Sequence, residues 1–373
     1  MARIDQFRME RMQSLYWHQV EHDLSESGVT PLTIEELLGD EYDPGEVLRT
    51  ALGYPLSEGS EATRERIARW YPGATIENVT VVNGGSEANH LALWTLLEPG
   101  DRLAFMVPNY MQGWGLGRHF GEATDVFRLK LREGRWALDL GQLKRAVGKN
   151  TKVVMVCNPN NPTGHVLADE EMDAVVDAAR KAGAWLVADE IYRGAEVDTD
   201  RTTPTFWGRY DKVIVTSGLS KAFGMPGLRI GWAVAPPKLI QKLWVRHDYT
   251  TLTPGMVSDR LAAIAMEPTR REWILSRTRR IIRAHLPRLE EWVRTHDGVL
   301  TYARPAAGAI AYLKYDQPIP STRLIDRIRE EQSVLLVPGD MFGLGKGFRV
   351  GFGYDIEQTL KGLARVDEVL RQL

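Results

Sequence analysis

The chain has 373 residues, 43% of them hydrophobic and 26% charged, with 47 Lys plus Arg against 49 Asp plus Glu. That length accommodates a large α/β lobe and a smaller one, while the balanced charge leaves no basic face for nucleic acid. A single cysteine, Cys157, excludes an internal disulfide framework and a thiolate pair for a metal. Residues 1–45 form an N-terminal segment expected to pack with the smaller lobe. Its opening, Met1 to Asp5, lacks the apolar core of a signal peptide, and no run reaches the length of a bilayer span, so a cytoplasmic setting is expected. A large lobe is expected over 46–250. There, short β-rich runs alternate with amphipathic helical stretches: Val79 to Val82, Arg102 to Val107, Lys152 to Val156, Trp185 to Ala188, Val213 to Thr216 and Ile230 to Val234. This alternation predicts a largely parallel sheet covered on both faces, with ligands gathered at the carboxyl ends of its strands. The remainder, 251–373, reads as a small α+β lobe: a long helix over Arg271 to Thr295, strands near Ile310 to Leu313 and Val334 to Val337, and a last helix from about Ile356. The cluster Arg277, Arg279, Arg280 and Arg283 is expected on the solvated face of the long helix.

Several strand ends carry chemistry. Gly84-Gly85-Ser86 follows a strand and opens a helix, so the amides of Gly85 and Ser86 point at an anion, or simply cap the helix. Asn158-Pro159-Asn160-Asn161-Pro162-Thr163-Gly164 makes a rigid turn after another strand. Asp189 and Glu190 end a buried strand, where a carboxylate needs a partner. Lys221 follows the run Val213 to Thr216, with Ser220 before it and Arg229 eight positions on. A lysine amine placed there can form an imine with a phosphorylated aldehyde while Ser220 and Arg229 hold its phosphate. Arg349 interrupts the apolar Phe348-Arg349-Val350-Gly351-Phe352, where a guanidinium clamps a carboxylate or closes a structural ion pair.

Taken together, Ser220-Lys221 through Arg229, Asn158 to Gly164, Asp189-Glu190-Ile191-Tyr192 and Gly85-Ser86 resemble the motifs of fold-type-I pyridoxal-phosphate (PLP) enzymes. The branch is that of the class I/II aminotransferases, the aspartate aminotransferase superfamily. The resemblance covers nearly the whole chain and implies a mainly parallel seven-stranded sheet in a three-layer large domain, beside a smaller α+β domain. It implies PLP on Lys221, with its phosphate on Gly85, Ser86, Ser220 and Arg229. Asp189 would then meet the pyridine nitrogen and keep it protonated, and Asn161 and Tyr192 would share the phenolic oxygen. Tyr110 would stack on the ring, with Trp114 as the alternative. Arg349 becomes the anchor of the substrate α-carboxylate, with Asn161 and Gly28 beside the substrate. Tyr54, in Gly53 to Gly59, resembles the tyrosine that reaches the phosphate of a neighbouring subunit, which implies a homodimer with composite sites.

The activity implied is ping-pong transfer of an amino group from an α-amino acid to a 2-oxo acid, with Lys221, Asp189 and Tyr192 as the catalytic set. The segments Leu24 to Pro31 and Arg246 to Gly255 look like the subgroup that contains capreomycidine synthase. That likeness keeps open a PLP-dependent lyase, cyclase or oxidase of specialised amino-acid metabolism, acting for example on arginine derivatives. Glu21, Asp23 and Glu26 either face a cationic substrate side chain or lie on a solvated helix end. Gly218 stands where some family members place a hydroxyl toward the phosphate, and Ser217 is the candidate to replace it. No basic recognition helix precedes residue 46, which disfavours a PLP-sensing transcription regulator. No Gly-x-Gly-x-x-Gly turn supports a dinucleotide fold.

Overall fold

The computed structural model describes residues 4–372. The first three residues, read above for a leader, and the last one lie outside the described residues. The strands in chain order are β1 His22–Asp23, β2 Val79–Val82, β3 Arg102–Val107, β4 Ala123–Arg132, β5 Arg135–Leu138, β6 Thr151–Cys157, β7 Trp185–Asp189, β8 Val213–Gly218, β9 Gly231–Val234, β10 Leu300–Tyr302, β11 Ile310–Tyr315, β12 Val334–Leu335, β13 Val337–Pro338 and β14 Phe348–Gly351.

The large sheet has the order β2-β9-β8-β7-β6-β3-β4-β5. Strands β8, β7, β6, β3 and β4 pair in parallel, while β9 runs antiparallel between β2 and β8. The central strands are apolar along their whole length because both faces are covered. Val153 and Met155 pack towards the helix Gly85–Leu96, and Val154 and Val156 towards the opposite layer. The sheet has one strand more than the seven expected. Strand β5 folds back along β4 and forms the sheet edge, through a hairpin whose tip, Glu133 and Gly134, has φ of 49° and 73°. A two-residue turn with both φ positive matches the twist of the strands it joins.

The smaller sheet is the antiparallel β10-β11-β14-β13, and β1 of the N-terminal segment pairs in parallel with β12. The long helix spans Pro268–Arg294 and the last helix Ile356–Leu370. The helix Met256–Ala265, past the expected boundary at residue 250, packs on Glu61–Ala68 and Ile34–Leu38. The basic cluster on the long helix is solvated only in part: Arg280 is exposed, whereas Arg277 and Arg279 have partners in the fold. Arg279 is buried, with Nη2 3.0 Å from Glu196 Oε2, and Arg277 donates to the Thr30 carbonyl at 2.9 Å. Arg279 and Arg277 tie the long helix to the strand-rich region before it and to the N-terminal segment.

Five of the motifs follow the carboxyl ends of β2, β3, β6, β7 and β8, and the antiparallel β9 brings its own beginning, next to Arg229, to the same edge. Sheet topology alone thus gathers residues scattered over more than a hundred positions.

Candidate active site

A cavity of about 760 Å³ opens at that edge. Its wall includes Gly85, Ser86, Tyr110, Asn161, Asp189, Tyr192, Ser220, Lys221, Arg229 and Arg349. Gly28 sits behind Lys221, and its amide donates to Glu26 Oε1 at 2.9 Å. Tyr54 is 85% exposed and does not line the cavity of its own chain. Trp114 lies under the guanidinium of Arg118, outside the cavity, while Tyr110 lines it and donates to Glu10 Oε1 at 2.9 Å. Burial, with the Glu10 carboxylate beside it, holds the Tyr110 hydroxyl above the usual tyrosine range.

Lys221 Nζ lies 2.7 Å from Glu26 Oε1, which also accepts the amides of Ser27 and Gly28. Burial opposes the charge on Glu26, but the attraction and hydrogen bond of Lys221 and the Ser27 amide outweigh it and bring the carboxyl down to about 2. Burial likewise works against the Lys221 ammonium, and Glu26 overcomes it, so the amine titrates above an ordinary lysine. Asp23 also lines the cavity, whereas Glu21 pairs with Arg365 at the surface, 2.6 Å away.

The two carboxylates at the end of β7 point to opposite sides of the sheet. Asp189 faces the cavity and accepts from Asn89 Nδ2 at 2.8 Å and from the Ile191 amide at 3.1 Å, while burial raises it above the usual aspartate range. Glu190 turns away, accepting from the Phe206 amide and the Thr205 hydroxyl at 2.8 and 2.9 Å, and burial pushes it to about 7. Tyr192 donates to Ser27 Oγ at 3.0 Å.

Arg349 is 1% exposed. One guanidinium nitrogen donates to Asn161 Oδ1 at 2.8 Å and the other to the Ser25 carbonyl. Its Nε has no hydrogen-bond partner among the described residues. Because Asn161 Oδ1 is used by Arg349, the amide nitrogen is the group that Asn161 has left to offer.

Gly84 has φ of 97°, and a Cβ there would fall 2.3 Å from Arg229 Nη2. The guanidinium is therefore packed directly against the turn that opens the helix Gly85–Leu96. Arg229 itself adopts φ of 52°, a conformation that costs a non-glycine residue about 1–3 kcal/mol and clusters at ligand clamps. Gly218 offers no room for a hydroxyl, since a Cβ would lie 2.7 Å from the Ile230 carbonyl oxygen. Ser217 is no replacement: its hydroxyl is buried and donates to the Glu190 carbonyl at 3.2 Å.

Three features of this wall were not legible in the motifs. Glu26 meets Lys221, Asn89 meets Asp189, and the helix Arg8–Tyr16 brings Met9, Glu10 and Gln13 over the cavity. The sequence offered Glu26 as a carboxylate for a cationic substrate side chain or a solvated helix end, and in the fold its cationic partner is Lys221.

The family model for aminotransferase class I and II matches residues 43–366. The chain belongs to this family. Among other class I and II aminotransferase relatives, it is 30% identical over 363 residues to capreomycidine synthase of Streptomyces vinaceus, covering 95% of this chain and 91% of that one. The solved structure of a PLP-dependent aminotransferase from Streptococcus suis 89-1591 superposes with a TM-score of 0.91 at 30% identity, covering 99% of this chain and 98% of that one. That of the PLP-dependent cyclase OrfR gives 0.88 at 28% identity, with the same coverage.

As a class I and II aminotransferase the chain is a PLP-dependent enzyme, and its cavity fits that cofactor. Arg229 against the glycine turn offers a cationic, backbone-lined cradle for a phosphate, and Asp189 supplies a buried carboxylate.

Proposed function

We propose that the protein is a PLP-dependent aminotransferase that moves an amino group from an α-amino acid to a 2-oxo acid by a ping-pong route, with Lys221 as the cofactor-bearing residue. The observation that carries this reading is the convergence of Lys221, Asp189 and Arg349 on one cavity. When bound, PLP supplies an electrophilic carbon and an electron sink for charge developing at the substrate α-carbon.

The chain's residues supply the rest. Gly85, Ser86, Ser220 and Arg229 hold the phosphate, and Tyr110 fixes the plane of the ring. Asp189 holds a proton at the ring nitrogen, while the amide of Asn161 and the hydroxyl of Tyr192 donate to the phenolic oxygen. Arg349 binds the α-carboxylate, with Asn161 and Gly28 alongside. The Lys221 amine takes the α-proton at Nζ, and Glu26 stabilises the ammonium so formed. The helix Arg8–Tyr16 covers the cavity and limits water. A second copy of the chain completes the site by bringing its own Tyr54 to the phosphate.

A second reading is supported by the likeness to capreomycidine synthase over 95% of the chain and by Glu10, Asp23 and Glu26 on the cavity wall. It is a PLP-dependent lyase, cyclase or oxidase acting on an amino acid with a cationic side chain. Incubating the holoenzyme with single amino acids, arginine and hydroxylated arginines included, separates the two. Stoichiometric pyridoxamine phosphate with the matching 2-oxo acid supports transamination. A cyclic or dehydrated product formed without pyridoxamine phosphate supports the second reading and overturns the first.

A further inference from the structure

Asp189 must stay ionised to hold a proton on a ring nitrogen, yet burial raises its pKa. The titratable groups around it are Cys157 on the neighbouring β6, Tyr110 after β3 and Glu190 next in the chain, and none of them is cationic. Compensation on the protein side comes from hydrogen bonds, and one is made by a side chain to which no role has been given above. Asn89 is 2% exposed, donates from Nδ2 to Asp189 Oδ2 at 2.8 Å, and accepts at Oδ1 from the Thr216 hydroxyl at 2.6 Å. Thr216 is itself buried on β8, in register beside Asp189.

The chemistry of this row is directional. An ionised carboxylate only accepts, so the amide must present its nitrogen to Asp189 and its oxygen to Thr216, whose hydroxyl then donates. The Asn89 amide on Oδ2 and the Ile191 amide on Oδ1 give each carboxylate oxygen one donor. Each oxygen keeps further acceptor capacity for the cavity. Asn89 also lies on the helix Gly85–Leu96, about 6 Å along its axis from Gly85 at the usual rise. One rigid turn therefore fixes the phosphate end of the site and, through Asn89, the ring-nitrogen end.

We propose that Asn89, backed by Thr216, is a positioning residue that keeps the Asp189 carboxylate ionised and aimed at the cofactor ring nitrogen. This rests on the assignment of Asp189 to that nitrogen. Leaving a buried carboxylate one donor short costs about 1–3 kcal/mol, equivalent to roughly 5–150-fold in an equilibrium. The loss appears first where the ring nitrogen is bound.

The test compares the holoenzyme with Asn89→Leu, Thr216→Val, Thr216→Ser and Asp189→Ala. The readouts are PLP dissociation and the pH midpoint of the visible absorbance of the bound cofactor. Asn89→Leu is expected to weaken PLP binding by about 5–150-fold. It also moves the midpoint up by about one unit, because losing the ring-nitrogen proton removes a positive charge from near the Lys221-linked nitrogen. Thr216→Val should do the same to a smaller extent, and Thr216→Ser should restore both values. If Asp189→Ala alters both readouts while Asn89→Leu and Thr216→Val leave both at wild-type values, the role of Asn89 is overturned. If Asp189→Ala is also without effect, the assignment of Asp189 itself is wrong. Should Asn89→Leu not fold, the near-isosteric Thr216→Val decides: a wild-type midpoint overturns the proposal, and a shifted one rescued by serine supports it.

Discussion

Lys221 and Glu26 lie 195 positions apart in sequence and 2.7 Å apart in the fold, and this contact shows how residue chemistry depends on folding. The lysine was legible because a cation straight after a buried strand is costly unless it is used. Its carboxylate partner was not, because nothing local marks a glutamate in a surface-like turn as the counter-ion of a distant amine. Folding moves the Glu26 carboxyl from 4.5 to about 2. A lowered pKa stabilises the fold fully above the unfolded value, and that contribution is lost as pH falls from about 4.5 towards 2. Thermal unfolding of the cofactor-free protein should therefore show a Glu26→Gln variant less stable than wild type at pH 7, with the gap closing at pH 3. Arg349→Lys removes a paired donor from a site built for a fork. With about 1.5–3 kcal/mol for a charged hydrogen bond, steady-state kinetics should show kcat/KM for the amino acid lowered by roughly 10–150-fold, mostly through KM.

At the scale of elements, strands buried on both faces announced themselves and edge strands did not. Val153 to Val156 and Val213 to Val215 are continuous apolar runs, and the stretches expected around them, Lys152 to Val156 and Val213 to Thr216, each lie within a strand two residues longer. Strand β4, next to the edge strand β5, alternates, with Phe127 and Leu129 buried between more open neighbours, and that pattern carries a weaker signal. A helical pattern over Met256–Ala265 does not by itself say what the helix packs on; in the fold it meets Glu61–Ala68 and Ile34–Leu38. The close crossing of β8 and β9 at Gly218 gives a direct test of the site's scaffold. Gly218→Ala puts a methyl 2.7 Å from the Ile230 carbonyl oxygen, an overpacking that typically costs about 1–3 kcal/mol. Urea denaturation should show a lower midpoint with an unchanged slope.

For the whole molecule, the telling feature is what one chain leaves uncovered. Leu48, Leu52, Tyr54 and Leu56 are all exposed on one short segment, an apolar stretch of the kind that marks an interface. A homodimer that covers it would also bring Tyr54 of each copy towards the phosphate end of the other copy's cavity. Sedimentation should find a dimer at micromolar concentration, and Leu48→Asp with Leu52→Asp should yield a monomer with weakened PLP binding. A wild-type monomer with full PLP affinity would contradict the composite site.

The proposed chemistry requires the cofactor to be attached at one amine. Borohydride reduction of the holoenzyme followed by peptide mass spectrometry reads that position directly. A single phosphopyridoxyl group on Lys221, absent in Lys221→Ala, is the expected result. Label on another lysine, or none in protein saturated with PLP, would contradict it.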